Sequence, residues 1–178
     1  MEKTDSQSEN DSTESMKKTL YSELKNKAIG LLARREYSSQ ELTSKLLSHS
    51  HSHSHSMPVD DVAIIVADVI EELQGLGYQS DYRFTAMFIR HKAQTGNGPL
   101  KISRELSFKG GDRALFDQVV EEEQIDFFEN ALALMQRKFS IEQLKDYQAY
   151  QKAFRYLANR GFTTDQIKYA KETLLEAE

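Results

Sequence analysis

The chain has 178 residues, 29% of them charged and 39% hydrophobic, with a formal net charge of −5 and no cysteine. Without cysteine there are no disulfides and no thiolate chemistry, which fits a reducing compartment. No apolar run approaches the roughly 20 residues that cross a bilayer, and the acid excess argues against a surface that grips nucleic acid everywhere.

In chain order, residues 1–16 (MEKTDSQSENDSTESM) are polar and acidic and carry no periodic apolar set, so a disordered tail is expected there. Its composition suits neither a signal peptide nor a transit sequence, and a cytoplasmic protein is the plain expectation. From Lys17 a helical period begins: Leu24, Ala28, Ile29, Leu31 and Leu32 make one apolar face, and Leu42 and Leu46 continue in a second short helix. Ser48 to Ser56 alternates serine with His49, His51, His53 and His55, and is expected to be a loop. Between Asp60 and Leu73, residues Val62, Ile65, Val66, Val69, Ile70 and Leu73 follow the spacing of an amphipathic helix, entered through Pro58. Further helices are predicted at about 80–95, 99–108, 112–123, 124–138, 147–160 and 164–177, for about nine in all and no strand.

The turns carry sharper signals than the helices. Ser38-Ser39-Gln40-Glu41, Ser140-Ile141-Glu142-Gln143 and Thr163-Thr164-Asp165-Gln166 have the form of capping boxes. Gly77, Gly110-Gly111 and Gly161 fall where a helix should end, and Gly98-Pro99 ends one element and starts the next. These turns also recur. Ala28, Leu32, Ala33, Arg35, Tyr37, Ser38, Ser39, Glu41 and Leu42 line up at one constant offset with Ala153, Leu157, Ala158, Arg160, Phe162, Thr163, Thr164, Gln166 and Ile167. Leu73, Gly77, Tyr78 and Ser80 form a third copy, and Leu106 with Lys109 to Asp112 a weaker fourth. Small helical units of this kind cannot bury their apolar faces alone and must stack.

Charge is segregated along the chain. From Arg83 to Arg113 there are seven bases (Arg83, Arg90, Lys92, Lys101, Arg104, Lys109 and Arg113) against Glu105 and Asp112. The next stretch holds Asp117, Glu121, Glu122, Glu123, Asp126 and Glu129 and no base. A surface of both signs suits an assembly of protein and nucleic acid.

Four blocks in order resemble the RecX family, regulatory proteins that bind filaments of the RecA recombinase. They are Ala28 to Leu42; Leu76 to Phe84, running on to Phe88-Ile89; Gly98 to Ile102 with Glu105-Leu106 and Lys109-Gly110; and Lys152 to Phe162. The resemblance spans roughly Leu24 to Leu175. It implies an all-α fold of three tandem three-helix repeats (17–75, 76–123 and 124–178) forming an elongated, curved helical array. It also implies a non-enzymatic monomer that lies in the groove of the RecA–DNA filament and hinders ATP hydrolysis, strand exchange and support of repressor cleavage. Single- or double-stranded DNA is an expected second partner, with no membrane and no cofactor. The sequence departs from the family in its long acidic tail, in the His-Ser tract, and in Gly111, where an apolar residue is usual and a looser turn is expected.

The seven bases are the expected contacts to filament or DNA, since arginine's fork suits phosphate and carboxylate. Arg34, Arg35 and Arg160 border the recurrent turns and are expected to serve helix C-termini. Tyr37, Tyr78 and Phe162 share one slot and are expected to pack the turns. The four tract histidines resemble a metal site only in spacing, with no acid or thiol cluster beside them. No phosphate loop, nucleophile elbow or His-Glu-x-x-His motif occurs. A helical DNA-binding protein acting without RecA is the alternative, and a metal buffer a weaker third.

Overall fold

The computed structural model describes residues 5–51 and 57–177, with side chains from Ser12 onward. Among these residues every regular element is helical, and the chain divides into two compact units, Met1–Asp81 and Tyr82–Glu178. Each unit has its own apolar core.

The first unit is a three-helix repeat of α1 (Asp5–Leu32), α2 (Ser39–His51) and α3 (Val59–Gly75). All six apolar positions expected on α3 are buried, and they meet Leu20, Leu24, Leu42 and Leu46. Polar pairs pin α1 to α3: Lys17 to Asp61 at 3.1 Å, and Lys25 to Glu72 at 2.8 Å. Glu72 also accepts from the Tyr21 hydroxyl. The carboxylate pushes that phenol up to about 12, while the Lys25 ammonium, with help from Tyr21, holds Glu72 below the ordinary carboxylate range.

Two expectations are corrected here. The segment expected to be a tail is helical from Asp5 on, residues 1–4 lying outside the described part. The apolar face of Leu20 and Leu24 anchors the helix, extension then adds one hydrogen bond per residue, and Glu14 pairs with Lys18 one turn away at 3.5 Å. Likewise α2 runs through His51 into the His-Ser tract, where Ser50 is buried and gives its hydroxyl to the Leu47 carbonyl at 2.8 Å. His53 and His55 lie outside the described residues.

The second unit contains α4 (Asp81–Gln94), α5 (Pro99–Phe108), a 3-10 turn (Arg113–Leu115), α6 (Phe116–Glu122), α7 (Phe127–Lys138), α8 (Ile141–Lys145), α9 (Tyr147–Asn159) and α10 (Thr164–Glu176). One core joins Ile89, Ile102 and Leu106 to Leu134, Leu157 and Ile167. The five-residue α8 was not expected, because it is too short to show a period. Its capping box at Ser140 and Gln143 was legible and is complete, as is the box at Thr163 and Gln166.

Backbone contact seals this unit. The Gly98 amide donates to the Arg160 carbonyl at 2.8 Å, and the Leu100 amide to the Gly161 carbonyl at 3.0 Å. A Cβ on Gly98 would lie 2.4 Å from the Gly161 backbone, and one on Gly161 2.4 Å from Lys101. The glycine-containing starts and ends of helices thus interlock two strings of sequence far apart in the chain.

Between α6 and α7 the left-handed conformation falls to Gln124, at φ 52°, rather than to a glycine. This breaks the helix predicted from 124 and delays α7 until Asp126 caps it through the Phe128 and Glu129 amides. Because the Gln124 side chain is exposed, Gln124→Gly should relieve backbone strain and stabilise the protein by about 0.5–1 kcal/mol. Thermal denaturation would show this as a raised midpoint, and a lowered one would contradict it.

Candidate functional site

The seven bases expected to act together are divided by the fold. Arg90 on α4 makes a two-pronged pair with Glu123, at 2.9 Å and 2.6 Å. Lys92 meets Glu105 at 2.5 Å, and Lys101 approaches the same carboxylate at 3.9 Å. Hydrogen bonding to these cations holds Glu105 and Glu123 below the ordinary carboxylate range. Arg90 and Lys92 are therefore each matched by a carboxylate within the unit, while Lys101 shares Glu105 with Lys92 at longer range. Arg83 and Lys109 are exposed.

Arg104 and Arg113 remain, and they line one groove of about 510 Å³. Neither makes an ion pair among the described residues. The geometry follows from α5. Pro99 starts the helix, and Ile102 and Leu106 are buried in the core. On the opposite stripe Leu100, Ser103, Arg104, Ser107 and Phe108 fall at helical spacing and face the groove. After α5 the chain turns back through Gly110, at φ 72°, and Asp112 caps the 3-10 turn through the Ala114 amide at 2.8 Å. That reversal places Arg113 on the groove opposite α5.

Gly111 does not loosen this turn. A Cβ there would lie 2.2 Å from Leu106, and the Gly111 amide donates to the Leu106 carbonyl at 3.0 Å, so the turn is tight because the residue is glycine.

Two apolar residues of the groove were not among the expected contacts. Leu100 is 61% exposed and Phe108 83% exposed. Their signal in the sequence is one of phase: each stands two residues from a core position of α5, where an amphipathic helix should be polar.

A second groove, of about 500 Å³, carries Glu121, Asp126 and the half-exposed Phe128. Helix α6 separates the two, with Phe116 and Asp117 lining the first and Val120 and Glu121 the second. The charge segregation in the sequence thus becomes two grooves on either side of a short helix. Glu122 and Glu123 of the acidic run are engaged elsewhere, by Tyr82 and Arg90.

The recurrent turns are less equivalent than their sequences. Tyr37 and Phe162 are buried, whereas Tyr78 is 53% exposed and does not fill the same slot. Arg35 stacks on Tyr37 at 3.6 Å and pairs with Glu41, while Arg160 gives hydrogen bonds to the carbonyls of Thr95 and Gly96 at 3.1 and 3.4 Å. Arg160 does serve a helix C-terminus, but that of α4. In the first unit the turn is held instead by Asp81, which accepts from the Ser39 amide and hydroxyl at 2.8 Å each. Gln79 adds a bond to the Tyr37 carbonyl at 3.1 Å.

Among the described residues no group of three or more His, Cys, Asp or Glu could hold a metal ion. His49 faces Glu23 at 3.0 Å. No helix among them is long and apolar enough to cross a membrane.

Fold and grooves together define an all-α protein of small helical repeats whose surface carries one groove with two arginines and one with acidic residues. Residues 80–120 match the second three-helix domain of RecX and residues 124–170 the third. Regulatory protein RecX of Legionella pneumophila (strain Corby) is 39% identical over 140 residues, 79% of this chain and 87% of that protein. Its counterpart in Xanthomonas campestris pv. campestris (strain B100) is 36% identical over 150 residues, covering 84% and 86%. The crystal structure of RecX from Lactobacillus salivarius superposes with a TM-score of 0.71 over 88% of this chain and 97% of that one, at 20% identity. The chain belongs to the RecX family.

Proposed function

We propose that this protein binds the filament that RecA recombinase forms on DNA and restrains it, lowering ATP hydrolysis, strand exchange and support of repressor cleavage. The observation that carries this reading is the identity to regulatory RecX proteins over most of the chain. The two grooves of opposite charge are consistent with it, because such a filament displays both phosphates and protein. In this reading the protein works in the cytoplasm as a monomer, by binding alone, without a cofactor. Of the seven bases, Arg104 and Arg113 are the foremost contacts. Arg83 and Lys109 are secondary, and Arg90, Lys92 and Lys101 would have to leave internal partners to take part.

The test is the DNA-dependent ATPase of RecA, titrated with this protein. The rate should fall as the protein is added, and an unchanged rate at stoichiometric excess sinks the proposal. A protein acting on DNA without RecA would instead bind DNA alone with steep salt dependence and leave the ATPase of preformed filaments untouched.

A further inference from the structure

We infer that the groove beside α5 is a binding site for a single-stranded nucleic acid. The Phe108 ring would stack on an unpaired base, and Arg104 and Arg113 would hold the neighbouring phosphates. This deepens the filament reading by naming the ligand of one groove, and it stands or falls on direct binding.

Three observations favour a strand. First, Phe108 is 83% exposed on the stripe that carries Arg104 and Ser107. An aromatic ring that open forgoes the burial such a side chain usually finds. Second, the two arginines of this groove keep their charge available, whereas Arg90, Lys92 and Lys101 are paired internally. Third, the polar lining is mixed. Thr163 accepts from the Gln166 amide at 3.3 Å and still has its hydroxyl proton to give to a phosphate.

The choice of ligand follows from the same residues. A duplex keeps its base faces stacked, so an exposed ring gains little from it. An unpaired base offers a π-face to Phe108 and phosphates to the arginines at once. An acidic peptide would also satisfy the arginines, and Asp117 on the same lining repels carboxylates and phosphates alike, so it is the exposed Phe108 ring that favours a strand with unpaired bases. Toward a nucleotide, Asp117 can accept from a base amino group. The groove volume of about 510 Å³ lies within the range of small-ligand clefts.

The experiment measures fluorescence anisotropy of labelled oligothymidine, and of a duplex of equal length, with the full-length protein in the absence of RecA. Phe108→Ala should weaken single-strand binding about tenfold while changing duplex binding less than about twofold. Phe108→Trp should restore the loss, which a merely structural defect would not allow. The double change Arg104→Gln/Arg113→Gln should lower the salt slope on the strand by about 1.4. Arg137→Gln/Lys138→Gln, which removes the same charge from the exposed end of α7, should leave the slope nearly unchanged.

Unaltered strand binding by Phe108→Ala overturns the inference, as does failure of the unmodified protein to bind the strand at low salt. Displacement of the oligonucleotide by poly-glutamate in a Phe108-dependent way would reassign the groove to an acidic protein segment. Inhibition of the RecA ATPase without strand binding would remove this inference and leave the filament reading. Strand binding with an unchanged ATPase would do the reverse.

Discussion

Gly161→Ala is expected to cost about 3 kcal/mol, because the added methyl group meets both a left-handed backbone and a neighbouring helix start. Two terms combine. A residue with a Cβ pays about 1 kcal/mol or more in the left-handed region that Gly161 occupies, at φ 87°. The new methyl would also press on the Lys101 backbone at 2.4 Å, an overpacking term of about 1–3 kcal/mol. The atoms met, the N, Cα and Cβ of Lys101, are not a flexible side-chain tip, so relaxation has to move the start of α5 away from the turn. Denaturant unfolding would measure the loss. Hydrogen exchange should show weakened protection at the Leu100 and Phe162 amides, whose bonds to the Gly161 and Leu157 carbonyls frame the contact. Stability within about 0.5 kcal/mol of the unmodified protein, the usual range for neutral surface changes, would refute the account.

The second large effect separates two arginines that the sequence presents as equivalents. Arg160→Ala should destabilise by about 1.5 kcal/mol, because it removes charge-assisted hydrogen bonds from carbonyls at the end of α4. Arg35→Ala should cost less, about 0.5 kcal/mol, since its pairing with Glu41 is exposed and screened. Lysine at 160 should recover only part of the loss, because one ammonium cannot span two carbonyls as a fork does. The comparison is made by urea denaturation of the three variants. Equal losses at 35 and 160 would mean that the common sequence position, and not the tertiary partner, sets the energy.

Much of the fold was legible because local rules and packing agree. On α3 the six positions at helical spacing are the six that are buried, and the glycines at 77, 110 and 161 take the left-handed conformation their place at helix ends requires. The capping boxes at Ser140 and Thr163 formed as their residue types allow. The exceptions have physical causes. A polar segment gives no periodic signal, yet α1 extends through one because helix growth costs little once a face is anchored. Gln124 ends α6 without glycine, so the break had no local mark.

The site was legible only in part. A count of charge along the chain finds the basic stretch but cannot say which cations will find carboxylates, since Arg90 meets Glu123 and Lys92 meets Glu105 through folding. The phase of Leu100 and Phe108 on α5 sets them off the core face, but it could not show that a groove lies beside them, because the turn at Arg113 is placed by tertiary packing.

By itself the sequence determined an all-α chain with recurrent turns, their caps and their turn glycines, because these depend on periodicity and on residue types at fixed local spacing; the three-helix repeat came with the likeness to RecX that four ordered blocks carry. Tertiary structure decided the rest. It merged the second and third repeats around one core through the Gly98–Gly161 contact, gave two matching arginines different work, and left Arg104 and Arg113 beside an exposed Phe108. The reason is that ion pairing, burial and close backbone approach are settled between residues distant in the chain, where no local pattern records the partner.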